Sequence, residues 1–408
     1  MTLGNVYERL IHRATLSSGR GGCSSWKFLC SQPRQPYYQF QSKMDPVLSL
    51  VIHDILPTEI LQMIFVEHAI LEWKAPTIDG RVCRLWRQII LNTPRAWAYL
   101  TIRKYYAPSV GELRLWLHRS STAPLHIDTR EAGRDACQKL FDLFSGHHTR
   151  IASLRMQDGS QSFFEGRDFP CMQLLDVGDW YPIRWSSMPK LQSLRLCDNH
   201  LRMVPLSELP PLKMLALSRV KCTPPLRHSQ SLTTLMLSHV ILVDVILGPV
   251  TFPSLTYLSL FGVRGLKHHV NAPRLVTYHE SRVPAGDSFN APLPSLAEYG
   301  VYHPHASTAD LATWHLSFPN IQRLAIRADE RVILSIFTSL ADQPHLLPAL
   351  QTISAGNIHG VSYGIEDRVK GRMESLVLAR NEARNGNVML CCERIAPFQV
   401  PIFFEPCK

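Results

Sequence analysis

From residue 151 onward, apolar residues recur with one internal spacing, apolar-x-x-apolar-x-apolar. Ten such segments begin at Ile151, Met172, Leu191, Leu212, Leu232, Leu255, Leu275, Leu296, Ile321 and Leu350. Their starts lie 21, 19, 21, 20, 23, 20, 21, 25 and 29 residues apart. Side chains alternate across a strand, so the spaced apolar positions turn to one face and the residues between them to the other. A single segment cannot bury its apolar face, whereas a stack of them can. The pattern therefore predicts a solenoid of short strands with compact returns, and it leaves room for helical returns in the two longest intervals.

From Met172 onward a proline stands two residues before the first apolar position in eight of nine segments: Pro170, Pro189, Pro210, Pro253, Pro273, Pro294, Pro319 and Pro348. A residue with fixed φ and no N–H suits the start of a strand, where no ladder donor is needed. This register is that of an irregular leucine-rich-repeat array with a curved parallel sheet. One segment departs from it, because its last inward position is Glu280, and a distorted coil is expected there.

The pattern extends upstream in a longer form. Strands are expected at 97–102, 123–128 and 152–156, with the helical stretches "VGELRLWLHRS" and "GRDACQKLFDLF" between them. Downstream, "EDRVKGRMESLVLARNEAR" reads as a helix and "NVMLCCERI" as a strand. Before all of this, "LPTEILQMIF" sets Ile60 and Leu61, then Ile64 and Phe65, four apart behind Pro57 and Glu59, which suit the first turn of a helix. Val82, Trp86, Ile89 and Ile90 mark a second helix that stops before Asn92-Thr93-Pro94. The doubled stripe of the first helix needs two neighbours to cover it. Two short helices cannot make much core unaided, so they need the solenoid, another chain, or both.

"DILPTEILQMIF" followed by "RVCRLWRQIILNTPRAWAYL" resembles the F-box of fungal F-box-like proteins with C-terminal leucine-rich repeats: a Leu-Pro-x-Glu-Ile-Leu start, a Val-Cys-x-x-Trp-Arg second helix and a Thr-Pro-x-x-Trp close, over residues 54–102. The resemblance implies an α/β solenoid preceded by a small α-helical module. It also implies a substrate receptor of a Skp-cullin-F-box ubiquitin ligase, whose F-box docks on the Skp adaptor and through it on cullin. Carried over position by position, the adaptor contacts would be Leu56, Pro57, Ile60, Leu61, Ile64, Val82, Cys83 and Trp86, with Trp97 in the module's own core. The alternative is a leucine-rich-repeat interaction scaffold without the ligase link. The expected organisation is a basic tail at 1–45, the F-box-like module at 46–102, the solenoid at 103–392 and a C-terminal tail at 393–408.

Composition changes this picture little. At 45% hydrophobic and 19% charged, the 408-residue chain has an ordinary globular balance. Its formal net charge of +10 is uneven, because residues 1–43 hold six Lys or Arg against Glu8 alone. That segment reads as a disordered tail or as a mitochondrial presequence. The remainder is mildly basic and carries no Lys/Arg cluster with interleaved aromatics, so no nucleic-acid partner is expected. Ten scattered cysteines without a C-x-x-C pair, the adjacent Cys391 and Cys392 included, suggest reduced thiols in the cytoplasm or nucleus. The most apolar run, 235–252, is interrupted by His239, Asp244 and a Gly-Pro, and no membrane span is expected.

No cofactor, metal or enzymatic activity is expected either. There is no P-loop, G-x-G-x-x-G, G-x-S-x-G or H-E-x-x-H. His147 with His148, and His303 with His305, read as loop residues, and Asp176, Asp179 and Asp198 as turn residues at strand ends. A protein substrate would meet the residues between the inward leucines. These are Arg155 and Arg195 early; Met214, Ala216, Ser218, Thr234, Met236, Ser238, Tyr257, Ser259 and Phe261 in the middle; and Arg323 and Arg327 late. The expectation is an uncharged strip, centred on Met214, Met236, Tyr257 and Phe261 and rimmed by Arg195 and Arg323, that takes an apolar segment with acidic flanks.

Overall fold

A computed structural model describes residues 56–103, 108–132, 134–157, 161–178, 183–197, 203–204, 208–222, 230–242, 250–263, 266–281, 289, 292–302, 311–357, 365–383 and 391–392. Both expected tails, 1–45 and 393–408, lie outside the described residues. The chain divides into two compact units. One ends at Tyr99 and takes in Leu117–Ser121; the other holds Leu100–Trp116 and continues from Thr122.

The first unit is helical. Pro57 (φ −54°, ψ 148°) precedes α1 (Thr58–Leu71), and its carbonyl accepts the N–H groups of Ile60 at 3.1 Å and Leu61 at 3.2 Å. The proline thus sits one residue before the expected place, where its fixed φ serves equally well. A short α2 (Ala75–Asp79) turns the chain into α3 (Arg84–Leu91). α3 starts after Val82 because Cys83 is extended and caps it, its Sγ accepting the Trp86 N–H at 3.4 Å. Phe65 meets Trp86 edge-on at 5.1 Å, which fixes α1 against α3. His68 Nδ1 lies 2.9 Å from the buried Asp79 carboxylate and ties α2 to α1. Trp97 is buried, donates its Nε1–H to the Ile90 carbonyl at 2.9 Å and lies 4.4 Å from the Arg119 guanidinium, which accounts for the return of 117–121 to this unit.

The second unit is a parallel-sheet solenoid. In chain order its strands are β1 (Tyr99–Arg103), β2 (Leu125–Glu131), β3 (Ile151–Met156), β4 (Leu174–Gly178), β5 (Ser193–Cys197), β6 (Met203–Val204), β7 (Met214–Ser218), β8 (Lys221–Cys222), β9 (Thr234–Ser238), β10 (Ile241–Leu242), β11 (Val250–Thr251), β12 (Tyr257–Phe261), β13 (Val270–Asn271), β14 (Thr277–Ser281), β15 (Glu298–Tyr302), β16 (Arg323–Ala328), β17 (Thr352–Asn357) and β18 (Cys391–Cys392). Thirteen of them form one sheet in the order β1-β2-β3-β4-β5-β7-β9-β12-β14-β15-β16-β17-β18. Neighbours from β2 to β18 run parallel.

The returns vary with their length. α4 (Val110–Arg119) and α5 (Arg134–Phe144) separate the first three strands, and a one-turn α6 (Gln161–Phe164) precedes β4. The 20-residue returns instead carry two-residue strands that build the small ladders β10-β8-β6 and β11-β13. The two longest intervals contain α7 (Leu311–Ser317) and α8 (Glu330–Asp342), and α9 (Ile365–Ala383) follows β17.

The prolines play a different part from the expected one. The first apolar N–H of a segment returns to the carbonyl three residues back in seven cases, from Met172 to Phe169 at 3.1 Å through to Leu350 to Leu347 at 3.1 Å. In these seven the proline therefore occupies the second position of a β-turn, which its φ fits, several residues before the strand begins. The residue before it is buried, as with Phe169, Met188, Phe252, Phe318 and Leu347. That row is a further inward column beside the two strand columns and the buried first positions such as Met172, Leu191 and Leu255.

Register explains the core. Leu175, Leu194, Leu215, Leu235, Leu258, Tyr278, Tyr299, Leu324 and Ile353 align across the sheet as one column, and Val177, Leu196, Leu217, Leu237, Leu260, Glu280, Val301 and Ile326 as the next. The distortion expected at Glu280 does not occur, since β14 pairs with β12 and β15 without a break. Its carboxylate is satisfied instead. The Tyr278 hydroxyl donates to Oε2 at 2.6 Å, the Tyr299 hydroxyl donates to Oε1, and the buried Lys267 ammonium pairs with Oε2. A buried charge is tolerated when it is both paired and hydrogen-bonded.

Candidate functional site

Two surfaces hold the residues that the sequence put forward. On the helical unit, Pro57, Ile60 and Val82 are exposed, while Leu56, Ile64, Cys83 and Trp86 are half-buried. Leu61, expected among the adaptor contacts, is 2% exposed and belongs to the unit's interior. Leu61, Phe65 and Ala69 stand four apart and share the buried side of α1. The opposite side of α1 carries Ile60, Met63, Ile70 and Leu71, of which Met63 is 63% and Leu71 76% exposed. The doubled stripe is thus one inward face and one outward face of the same helix.

The outer face of the sheet shows a charge ladder at its first strands. Asp128, Arg155, Asp176 and Arg195 align in one column across β2, β3, β4 and β5. Arg155 lies 3.8 Å from Asp128, Arg195 3.6 Å from Asp176, and Arg130 spans both acids at 2.7 Å and 3.8 Å. Asp176 is therefore mid-strand, not a turn residue at a strand end. Burial pushes its carboxyl above the usual range, against the opposing pull of Arg195, Arg130 and Arg155. The arginine rim expected at Arg155 and Arg195 is largely neutralised from within.

The middle strip also departs from expectation. Met214, Tyr257 and Phe261 are half-buried, but Met236, Ser238 and Ser259 are buried, so no exposed apolar strip runs across these strands. Rings pack over the small residues here: His239 on Phe261 at 5.3 Å, and His279 against Tyr257 at 5.5 Å and Tyr302 at 5.9 Å. Gly300 makes room for the His279 ring, whose Cδ2 would lie 2.6 Å from an added Cβ.

A polar chain crosses the next strands. Tyr257 Oη and His279 Nδ1 are 3.2 Å apart, His279 Nε2 and Glu298 Oε1 3.4 Å, and the Arg323 guanidinium donates to Glu298 Oε2 at 2.8 Å. The hydrogen bond from His279 holds the Glu298 carboxyl below its ordinary range, with Arg323 assisting against burial. Burial, with the Glu298 charge nearby, pushes the Tyr257 phenol up to about 12. It therefore remains a hydrogen-bonding phenol at neutral pH rather than a nucleophile.

No protein-family model and no curated protein matches this chain. The site is therefore read from its own chemistry. Among the described residues no group of three or more His, Cys, Asp or Glu could hold a metal ion, and no helix is long and apolar enough to cross a membrane. His148 Nδ1 bonds the Ser145 carbonyl at 2.7 Å and its ring packs on Phe169, a structural use; Asp179, Asp198, His303 and His305 lie outside the described residues.

Arg195 and Arg323 do not converge. They stand six strands apart in the sheet order, about 29 Å at the usual strand spacing. Sequence reading missed Asp128, Arg130, His279 and Glu298. The alternation that picked out Arg155 and Tyr257 would have found them had it been carried into "LHIDTRE", "TYHES" and "EYGVY".

Proposed function

We propose that the protein is a substrate receptor of a Skp-cullin-F-box ubiquitin ligase, working in the cytoplasm or nucleus. In this reading the helical unit is an F-box-like module that docks the Skp adaptor, and through it cullin, while the leucine-rich-repeat-like solenoid receives a protein substrate. One observation carries it: around exposed Glu67 the outward side of α1 carries four exposed apolar residues, Ile60, Met63, Ile70 and Leu71, opposite Leu61, Phe65 and Ala69. Exposed apolar residues gathered on one side of a helix, rimmed by polar ones, suit a second protein. The resemblance of residues 54–102 to the F-box points to which protein that is. Revised for burial, the adaptor contacts are Leu56, Pro57, Ile60, Met63, Ile64, Val82, Cys83 and Trp86.

On the solenoid, a substrate segment meets half-exposed Met214, Tyr257 and Phe261 beside charges that already pair with one another. Recognition there depends more on these aromatic and apolar groups than on Arg195 and Arg323. The test is co-purification of the full chain with a Skp adaptor, using Ile60→Asp/Met63→Asp as the variant. Both positions are outside the core, so the variant should keep its fold and lose adaptor at least tenfold. A wild-type chain that retains no adaptor would leave an interaction scaffold without the ligase link.

A further inference from the structure

We infer that the corner between α2 and α3 is a second, electrostatic part of the docking surface, and that the adaptor segment meeting it is apolar with carboxylates along its border. The inference rests on the ligase reading above. Within residues 78–85 the corner presents three exposed aliphatic side chains, Ile78, Val82 and Leu85, interleaved with two exposed arginines, Arg81 and Arg84. Neither arginine side chain has a hydrogen-bond or ion-pair partner among the described residues.

The corner is a fixed shape. The Arg81 N–H bonds the Ile78 carbonyl at 3.0 Å and the Val82 N–H the Asp79 carbonyl at 3.1 Å. Arg87 donates its Nε–H to the Gly80 carbonyl at 2.8 Å, and a Cβ on Gly80 would stand 3.0 Å from the Pro76 carbonyl. The one acid nearby, Asp79, is buried against His68. Arg87 and Asp79 are thus committed to holding the corner, while Arg81 and Arg84 face outward.

Their place carries an electrostatic cost in the isolated unit. Arg84 is the first residue of α3 and Arg81 lies just before it, at the positive end of the helix, and no acid occupies the first turn. Cations are unfavourable there, and a partner carboxylate would relieve the repulsion. A wholly apolar partner would strip water from the guanidinium groups without pairing them, and a wholly acidic one would leave Ile78, Val82 and Leu85 in water. A surface with an apolar centre and an acidic border satisfies both sets of groups, and its charges would set the on-rate and salt dependence.

The experiment measures the Kd of the full chain for a purified Skp adaptor at about 50 mM and about 500 mM NaCl, a range over which exposed charges pass from weakly to strongly screened. The expected result for Arg81→Glu/Arg84→Glu is roughly tenfold weaker binding at low salt, with most of the difference gone at high salt. Arg274→Glu/Arg331→Glu makes the same change of net charge at exposed positions elsewhere and should stay within about twofold of wild type. If the reversal variant unfolds, Arg81→Gln/Arg84→Gln replaces it, with a smaller loss of about threefold expected. Wild-type binding that is insensitive to salt and to both corner variants overturns the inference and leaves the ligase reading standing. A wild-type chain with no affinity for the adaptor at either salt removes both.

Discussion

Lys267→Met removes the cation from a buried cluster in which Glu280, at an inward sheet position, takes bonds from Tyr278, Tyr299 and Lys267. The surroundings are apolar: Tyr278 stacks on Tyr299 at 5.7 Å, and the Lys267 ammonium lies 5.6 Å from the Tyr278 ring and 5.9 Å from that of Phe289. Two phenols would remain to support the carboxylate, so the loss should be close to the 3–5 kcal/mol typical of a broken buried pair. Glu280→Leu strands the ammonium and also two hydroxyls, whose missing acceptors cost about 1–3 kcal/mol each. In the wild-type chain burial, with the adjacent Glu280 carboxylate, pushes the Tyr299 phenol well above its ordinary value, so it stays a donor to that carboxylate.

The combined variant Lys267→Met/Glu280→Leu/Tyr278→Phe/Tyr299→Phe removes all four polar members of the cluster together and should return to within about 2 kcal/mol of wild type. Urea unfolding followed by circular dichroism reads these differences as shifts of the midpoint at constant slope. Should Lys267→Met cost less than about 1 kcal/mol, the carboxylate does not depend on the lysine and the account of how β14 keeps its register is wrong.

Three further outcomes are expected. Leu61→Ala should cost the helical unit about 2–5 kcal/mol while Met63→Ala stays within about 0.5, because one opens a cavity and the other does not; thermal melts of the two variants compare them. Gly262→Ala, at φ +62° with an added Cβ 2.7 Å from the His239 ring, should destabilise the solenoid by at least about 1–2 kcal/mol by urea titration. Glu298 titrates below its ordinary value in the folded chain, so the unfolded chain binds its proton first as pH falls. The stability it contributes is present above the unfolded value and is lost on acidification through the folded one; midpoints measured across acid pH should show this limb, and Glu298→Gln should flatten it.

The periodic apolar positions, read alone, led to the parallel-sheet solenoid and to the helical filling of the two longest intervals. Spacing suffices there because strand alternation and the need of each turn for a neighbour are local consequences of the chain. The prolines recurred visibly, but their work in a turn, and the additional buried column before them, follow from hydrogen bonds that spacing does not display. Inward and outward sides of α1 could not be told apart from "EILQMIF", since apolar residues fall on both; the packing of Phe65 on Trp86 turns that side inward, with Leu61 one turn earlier buried and Met63 left outside. Glu280 looked like a defect for the same reason, because its partners Lys267 and Tyr299 come from other turns and are set beside it by register. Whether Arg155 is a free cation or one rung between Asp128 and Asp176 is likewise decided across strands, where parallel stacking brings together residues about twenty apart in the chain. A sequence fixes what each residue can do, and stacking chooses its neighbour.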